Sequence, residues 1–233
     1  MILDLHTHSE ASEDSRAPVE AYLKWLTRQR QVLPIDGIVL TEHRRWDARA
    51  DYRRLEDKYH LLILRGAEVE TNYGHMLIYG VNRHIIRRFD FSDVRLPAEE
   101  LVPAVAQLGG IALPCHPGRP TVGLCAHYES KPPLAGVVAV EGLNGGSRRG
   151  EDERTQELIA RYGYRAFGGS DSHLVSLVGV CATEFVTPIR DNEDLVRALH
   201  RGGYHPVDFR DRMKRYEGAR IQPAPADRGH RGT

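Results

Sequence analysis

The fold is decided first by residues 2–8, which read ILDLHTH. This stretch is an apolar, strand-like run that ends in two histidines. Side chains two positions apart on a strand face the same side, so His6 and His8 can reach one ion. The alternative is a pair of hydrogen-bonded core histidines. The polar residues 9–14 that follow favour a metal site at the end of the strand.

Further clusters of histidine and carboxylate residues lie at the ends of other strand-like runs. They are Glu42-His43, Gly66-Ala67-Glu68 with His75, Cys115-His116-Pro117 and Ser170-Asp171-Ser172-His173. Imidazole nitrogens and carboxylate oxygens are ligands for Zn, Mn and Fe. Residues so distant in the chain converge only if strand ends meet, as they do at the C-terminal rim of a barrel of parallel strands. We therefore predict a multinuclear metal site on a β/α barrel.

The composition is that of one soluble, barrel-sized domain of 233 residues. Lysine plus arginine equals aspartate plus glutamate, at 32 each, so the net charge does not indicate a nucleic-acid or membrane partner. Three cysteines are too few for a disulfide framework. We expect no signal peptide from the sequence, and no apolar run reaches the roughly 18–20 residues that span a bilayer. A cytoplasmic location is expected.

Strand-like and helix-like stretches alternate along the chain, which predicts a parallel α/β sheet. The predicted strands are 2–5, 37–41, 61–69, 76–81, 111–114, 137–140, 164–168 and 185–187. The predicted helices are 18–30, 46–59, 97–108, 151–162 and 192–200. Polar residues at so many strand ends favour a barrel over an open sheet, which usually binds its ligand at one switch point. The barrel domain is predicted to span residues 1–209, followed by an extension over 210–233 that is disordered from about residue 219.

Glu68 follows an apolar run, and a buried carboxylate needs partners. One hypothesis is a salt bridge to an arginine, and the sharper one is a carboxylate that bridges two metal ions. Asp171 and His173 repeat the spacing of His6 and His8. Cys115 is predicted to point away from the rim into the core.

The chain resembles the PHP family, named after its polymerase and histidinol phosphatase members. The motifs that carry the resemblance follow the family's order and cover roughly residues 1–187. They are DLHTHSEAS (4–12), LTEH (40–43), GAEVE with GHMLIYG (66–80), PCHPGR (114–119), VEGLNG (140–145) and GGSDSH (168–173). The resemblance implies a distorted, TIM-like (β/α)7 barrel with a di- or trinuclear centre, built from Mn, Zn or Fe, that hydrolyses phosphoesters.

The resemblance also implies three sets of ligands. These are His6, His8, Glu68 and Asp171 for the first ion, Glu68, His75 and His116 for the second, and Glu13, His43 and His173 for the third. Asp14 stands beside Glu13 and could ligate in its place. Glu68, Asp171 and His173 are the predicted catalytic residues. Glu42 is expected to orient the imidazoles rather than to bind metal.

The charge of such a site favours phosphate chemistry. Three divalent ions would outweigh the carboxylates of Glu68, Asp171 and Glu13, leaving a positive pocket for a phosphate dianion. Metal coordination lowers the pKa of water from 15.7 to about 7, which supplies a hydroxide for attack on phosphorus. Arg119, three residues after His116, is placed to bind phosphate with its planar guanidinium. A solvated loop arginine is its alternative, and Arg44 is a weaker candidate for substrate binding.

The sequence therefore predicts a metal-dependent phosphoesterase that acts on a small phosphorylated metabolite or nucleotide. A histidinol-phosphate phosphatase and an oligonucleotide exonuclease remain open within that class. An amidohydrolase-like C–N hydrolase is the alternative from another class. It often uses a carbamylated lysine between its metals, whereas Glu68 fills that position here. A non-catalytic regulatory module would lack ligands, and nearly all of them are present.

Overall fold

The computed structural model describes residues 1–221, with side chains to residue 216, and shows a mixed α/β fold. Its strands are β1 (Ile2–Thr7), β2 (Gly37–Leu40), β3 (Leu62–Thr71), β4 (Gly74–Tyr79), β5 (Ile111–Pro114), β6 (Ala139–Asn144), β7 (Arg165–Gly169), β8 (Cys181–Phe185) and β9 (Tyr204–Asp208). Its α-helices are α1 (Val19–Arg28), α2 (Arg53–Tyr59), α3 (Arg83–Arg88), α4 (Ala98–Gln107), α5 (Leu124–Tyr128), α6 (Glu151–Tyr162), α7 (Asn192–Arg201) and α8 (Arg210–Ile221). None of the helices within the described range is both long and apolar enough to cross a membrane.

Seven strands form one curled sheet in the order β5-β4-β3-β2-β1-β8-β9, and β6 pairs with β7 in a separate parallel sheet. The neighbours β1, β2 and β3 run parallel, whereas β4 and β8 run antiparallel to their partners. The α/β class is confirmed, but the all-parallel sheet is wrong and a closed (β/α)7 barrel is not confirmed. The reason at β4 is the connection: two residues separate it from β3, and a parallel pair needs a crossover of a dozen or more.

Two predicted elements are placed differently in the structure, and four elements of the described residues, α3, α5, β9 and α8, were not predicted. The helix predicted over 46–59 begins only at Arg53, and the strand predicted over 185–187 is the earlier strand β8. Strand β9 and helix α8 were not predicted, because residues 204–221 carry few apolar positions with a regular period. The disorder predicted from about residue 219 to residue 233 falls almost entirely outside the described residues and stays a prediction.

Helix α1 shows how a helix is fixed beside the strand ends. Its buried residues are Val19, Tyr22, Leu23 and Leu26, which lie on one face at helical spacing. The Tyr22 hydroxyl, itself buried, donates to the backbone carbonyls of His8 at 2.6 Å and Ser172 at 2.9 Å. One side chain therefore ties the end of β1 to the segment after β7.

Backbone contacts bring the ends of distant strands to one rim. The His8 amide donates to the Ser172 carbonyl at 3.0 Å, and the Asp171 amide donates to the His6 carbonyl at 2.8 Å. His43 forms an isolated parallel bridge with Glu68. Because β4 runs antiparallel, its first residues rather than its last lie at this rim. The sheet thus assembles one polar surface from segments spread over most of the chain.

Candidate metal centre

The first group of potential ligands joins the end of β1 to Glu68 and Asp171. His6 Nε2 and His8 Nε2 are 3.0 Å apart, and both lie 3.1 Å from Glu68 Oε2. Asp171 Oδ1 lies 3.4 Å from His6 Nε2 and 3.3 Å from His8 Nε2. The structure therefore brings together the four residues predicted to hold the first ion.

The second group forms around the other oxygen of the same glutamate. His75 Nδ1 lies 2.7 Å from Glu68 Oε1, and His116 Nε2 lies 3.0 Å from it. His75 is near the start of β4, and His116 directly follows β5. Glu68 is buried, with each carboxylate oxygen directed at a different set of histidines.

The third group consists of His8, His43 and His173. His8 stacks against both other rings, with centroids 4.2 Å from His43 and 4.4 Å from His173. Asp14 Oδ2 lies 3.4 Å from His43 Nε2 and 3.1 Å from His173 Nε2. The carboxylate beside the two histidines is thus that of Asp14.

Glu13, the residue predicted for this position, lies elsewhere. Its side chain is 82% exposed, and its carboxylate pairs with Arg44 at 2.9 Å. Arg44 also lies 3.5 Å from Glu70 Oε1. Glu13 and Arg44 therefore form an ion pair on the surface rather than joining the histidine groups. The cause is the turn over residues 10–14, which directs neighbouring side chains to different sides.

Residues behind the ligands hold them in place. Glu141 Oε1 lies 2.9 Å from His6 Nδ1, and Glu141 Oε2 accepts from the His116 amide at 2.7 Å. An imidazole that donates Nδ1–H to a carboxylate keeps a lone pair on Nε2, the atom that faces His8 and Glu68. Glu42 accepts hydrogen bonds from the Ser9 and Ser12 hydroxyls, each at 2.6 Å. It fixes the loop after β1 through the two serines, and Ser12 Oγ in turn lies 3.4 Å from His8 Nδ1, so any orienting effect of Glu42 on an imidazole is indirect.

The donor atoms fit divalent cations. Tetrahedral ligands at about 2.0–2.1 Å from one ion would lie about 3.3 Å from each other, and the first group shows 3.0–3.4 Å. Within each of the three groups the ligand atoms all lie within 4.8 Å of one another. Two imidazole Nε2 atoms that both carry a lone pair cannot form a hydrogen bond with each other, because neither has a hydrogen to donate. A cation between them would satisfy both lone pairs.

The electrostatics of the cluster also favour positive charge. Burial alone would lower the pKa of His6, but Glu141, Asp171 and Glu68 raise it well above its ordinary value. Burial alone would raise the pKa of Glu68, but His6 and hydrogen bonds from His116 and His75 hold it well below its ordinary value. Burial lowers the pKa of His43 to about 4, so its imidazole is neutral at neutral pH, the form that binds metals.

Cys115 corrects one prediction. The residue is buried as expected, but its thiol does not point away from the rim, since Sγ lies 3.4 Å from Glu68 Oε1. Burial raises the pKa of the thiol well above its ordinary value, and the nearby Glu68 carboxylate adds to the effect. Cys115 is therefore a neutral donor to the glutamate.

Arg119 lies beside the first group. Its Nη2 donates to Asp171 Oδ2 at 2.7 Å and to Asn144 Oδ1 at 3.4 Å. The side chain is 29% exposed and lines a cavity of about 780 Å³ that also reaches Asp171 and His173. This volume is within the range of small-molecule sites. The cavity opens directly onto the candidate ligands.

Comparison with known proteins supports the family suggested by the motifs. Residues 151–204 match a family model described as PHP-associated. This match supports the PHP family assignment that the motifs indicate. A search of curated proteins finds no significant match.

Solved structures share the fold of this chain over nearly its whole length. PsfC from Pseudomonas syringae PB-5123 is similar with a TM-score of 0.64 at 20% identity, covering 94% of this chain and 98% of that one. A Bifidobacterium adolescentis protein described as a metal-dependent phosphoesterase has a TM-score of 0.52 at 15% identity, with 86% and 96% coverage. The lesion-specific endonuclease PfuEndoQ from Pyrococcus furiosus has a TM-score of 0.62 at 16% identity, and the match covers 88% of this chain but only 57% of that one.

The close packing of two strands at this rim depends on Gly169. A Cβ at this position would lie 2.4 Å from His6 Cβ and 2.7 Å from Glu141 Oε1. Gly169 belongs to the GGSDSH motif of the sequence. The structure identifies the neighbours as a predicted ligand and the carboxylate that orients it.

Gly169→Ala is expected to lower the free energy of unfolding by about 1–3 kcal/mol, because the added methyl overpacks the contact with His6. Urea unfolding of the purified protein measures the loss. Gly146→Ala is the matched control, since its Cβ would meet nothing closer than the Asn144 side chain at 3.2 Å. Equal stability of the two variants would contradict the packing argument.

Proposed function

We propose that this PHP protein is a metal-dependent phosphoesterase with up to three divalent ions, Mn, Zn or Fe, at the histidine groups. The observation that carries the proposal is Glu68, whose two oxygens face separate sets of histidines 2.7–3.1 Å away. Two ions held this close together need a shared anion between them, and two-metal sites are typical of phosphoester hydrolysis. Similarity to a metal-dependent phosphoesterase supports the same class.

The proposed ligands follow the geometry. They are His6, His8, Glu68 and Asp171 for the first ion, Glu68, His75 and His116 for the second, and His43 and His173 with Asp14 in place of Glu13 for the third. Bound divalent ions would lower the pKa of a coordinated water and neutralise the phosphate oxygens. Glu68, Asp171 and His173 are the catalytic residues we propose, because they place these ions beside the cavity.

A phosphorylated metabolite or nucleotide is the substrate we propose. The cavity has the volume of a small-molecule site, and Arg119 presents a guanidinium beside Asp171 where the phosphate would lie. Arg44 is the weaker candidate for this role, because Glu13 and Glu70 already surround it. A C–N hydrolase is disfavoured, since the carboxylate of Glu68, rather than a carbamylated lysine, lies between the two sets of histidines.

Nucleic acid is the second substrate class to test. Endonuclease Q, which has a similar fold, has been solved with a 27-mer duplex containing an abasic lesion. This chain spans 58% of that protein, so the likeness does not extend to the rest of the endonuclease. An oligonucleotide exonuclease and a histidinol-phosphate phosphatase therefore stay alternatives within the same chemistry.

The function is tested by metal analysis of the purified protein, followed by a substrate panel with each of Mn, Zn and Fe. The panel contains phosphomonoesters, including histidinol phosphate and nucleotides, phosphodiesters, short oligonucleotides and simple amides. We expect hydrolysis of at least one phosphoester and none of the amides. Hydrolysis of amides alone, or failure to bind metal, would overturn the proposal.

Arg119→Ala is expected to raise KM about 10- to 50-fold, because it removes a charge-assisted contact to phosphate. Since Arg119 also holds Asp171, a smaller fall in kcat should accompany the rise. Arg119→Lys should restore only part of the affinity, because lysine lacks the planar fork. Steady-state kinetics measure both constants, with Arg87→Ala on α3 as an exposed control. A fall in kcat with KM unchanged would restrict Arg119 to positioning Asp171.

A further inference from the structure

The cavity beside the metal centre has two arginines with no role so far. Arg148 and Arg149 precede α6 and line the same cavity as Asp171 and His173. Both side chains are exposed, and neither forms an ion pair within the described part of the chain. The other two arginines that line the cavity form ion pairs, Arg119 with Asp171 at 2.7 Å and Arg154 with Glu129 at 3.2 Å.

Nearby carboxylates do not neutralise these two arginines. Glu151 accepts a hydrogen bond from the Arg148 backbone amide at 3.0 Å, which ties the segment before α6 to the first residue of the helix and is not a pair with a guanidinium. Asp152 pairs with Arg210 at 3.1 Å. Glu151 lines the same cavity, but among the described residues no carboxylate forms an ion pair with the guanidinium of Arg148 or Arg149.

The wall that carries the arginines is held firmly. The Gly118 amide donates to Thr155 Oγ1 at 3.0 Å, so the segment after β5 packs directly on α6. A Cβ on Gly118 would lie 2.0 Å from the Glu151 carbonyl oxygen, which shows how closely the two segments approach. The backbone that presents Arg148 and Arg149 is thus fixed relative to the segment that follows His116.

We propose that the substrate carries a second phosphate, which Arg148 and Arg149 bind while the first phosphate lies at the metal centre. This inference rests on the proposed phosphoesterase function and specifies its substrate. Two neighbouring arginines on a protein surface often contact only water and bind no ligand. Here the pair shares a cavity of about 780 Å³ with two predicted ligands, far more space than a single phosphate needs. The second phosphate can belong to a small bisphosphate or to the next position of a nucleotide strand.

The test compares binding of ligands that differ only in the second phosphate. Fructose 6-phosphate and fructose 1,6-bisphosphate form the small-molecule pair, and adenosine 5′-monophosphate and 5′-phosphorylated diadenylate form the strand pair. Dissociation constants are measured by calorimetry for the wild type, the double variant Arg148→Gln/Arg149→Gln and the exposed control Arg87→Gln. Hydrolysis of the same four compounds is followed separately with added Mn, Zn or Fe.

In at least one pair, the compound with two phosphates should bind roughly tenfold more tightly than its partner, because each phosphate gains charge-assisted contacts. The double variant should lose that preference while its affinity for the monophosphate changes less than about twofold, and salt should weaken the preference. The pair that shows the preference identifies the source of the second phosphate. Equal binding within both pairs, or a preference retained by the double variant, overturns the inference. Absence of hydrolysis despite a preference in binding would instead count against the phosphoesterase proposal.

Discussion

Glu68→Gln is expected to lower phosphoester hydrolysis at least about 100-fold and as much as about 5,000-fold. The carboxylate is buried, with Oε2 3.1 Å from His6 and His8 and Oε1 2.7 Å from His75 and 3.0 Å from His116. An amide of the same shape brings no charge and offers only one oxygen. Weaker binding of the ions that would stabilise charge in the transition state costs about 3–5 kcal/mol of barrier, which corresponds to the stated range of rate.

Two measurements check the bridging role of Glu68. Metal content of the purified variant should fall by at least one ion per chain, and turnover on the best substrate should fall with it. Glu184→Gln on β8 is the matched control, because that glutamate pairs with His205 at 3.2 Å and lies outside the ligand groups. Circular dichroism should show that both variants keep the fold. Full activity of Glu68→Gln with an unchanged metal count would refute the assignment.

Much of this site could be predicted from the sequence, because the alternation of side chains along a strand fixes which residues share a face at its end. The i, i+2 spacing of His6 and His8 places both rings on one side of β1, and they do face one point. The run before Glu68 predicts a buried carboxylate, which in the structure has histidines on both oxygens. The sequence placed His75 in the cluster of Glu68, but its assignment to the second ion came only from the family resemblance. His75 lies near the start of β4. Because β4 runs antiparallel, the start of this strand lies at the same rim as the ends of the parallel strands.

Other features depend on contacts between distant segments, which local pattern does not specify. The sheet was predicted to be parallel, although the two-residue turn between β3 and β4 already required a hairpin. Alternation from His116 predicted that the Cys115 thiol would point into the core. His116 has a positive φ of 31°, which breaks the strand geometry on which that inference relied. The same conformation occurs at Asp171, where φ is 52°.

Asp14→Asn is expected to reduce hydrolysis roughly 100-fold and to release one ion more readily than the others. Asp14 Oδ2 lies 3.1 Å from His173 and 3.4 Å from His43, so it supplies the carboxylate of the third group. Changes to residues that only support a ligand already cost about 10- to 100-fold in metal affinity or activity, so loss of a ligand should reach the upper end. The ion is expected to be the most weakly held, because Asp14 is 58% exposed and water competes for it.

Glu13→Gln is the matched control, since it makes the same chemical change one residue earlier. Its carboxylate faces Arg44 and is 82% exposed, and an exposed ion pair contributes little, so activity and metal content should stay within about twofold of the wild type. Stepwise chelation followed by metal analysis separates the ions by affinity, and kinetics with added metal tests whether excess Mn or Zn restores the Asp14 variant. The opposite result, with Glu13→Gln losing the ion and Asp14→Asn retaining it, would return the ligand to the position first predicted. Glu13 and Asp14 are adjacent and both acidic, so they differ only in where the turn after β1 directs their side chains. Comparing the two variants tests in solution which of the two carboxylates faces His43 and His173.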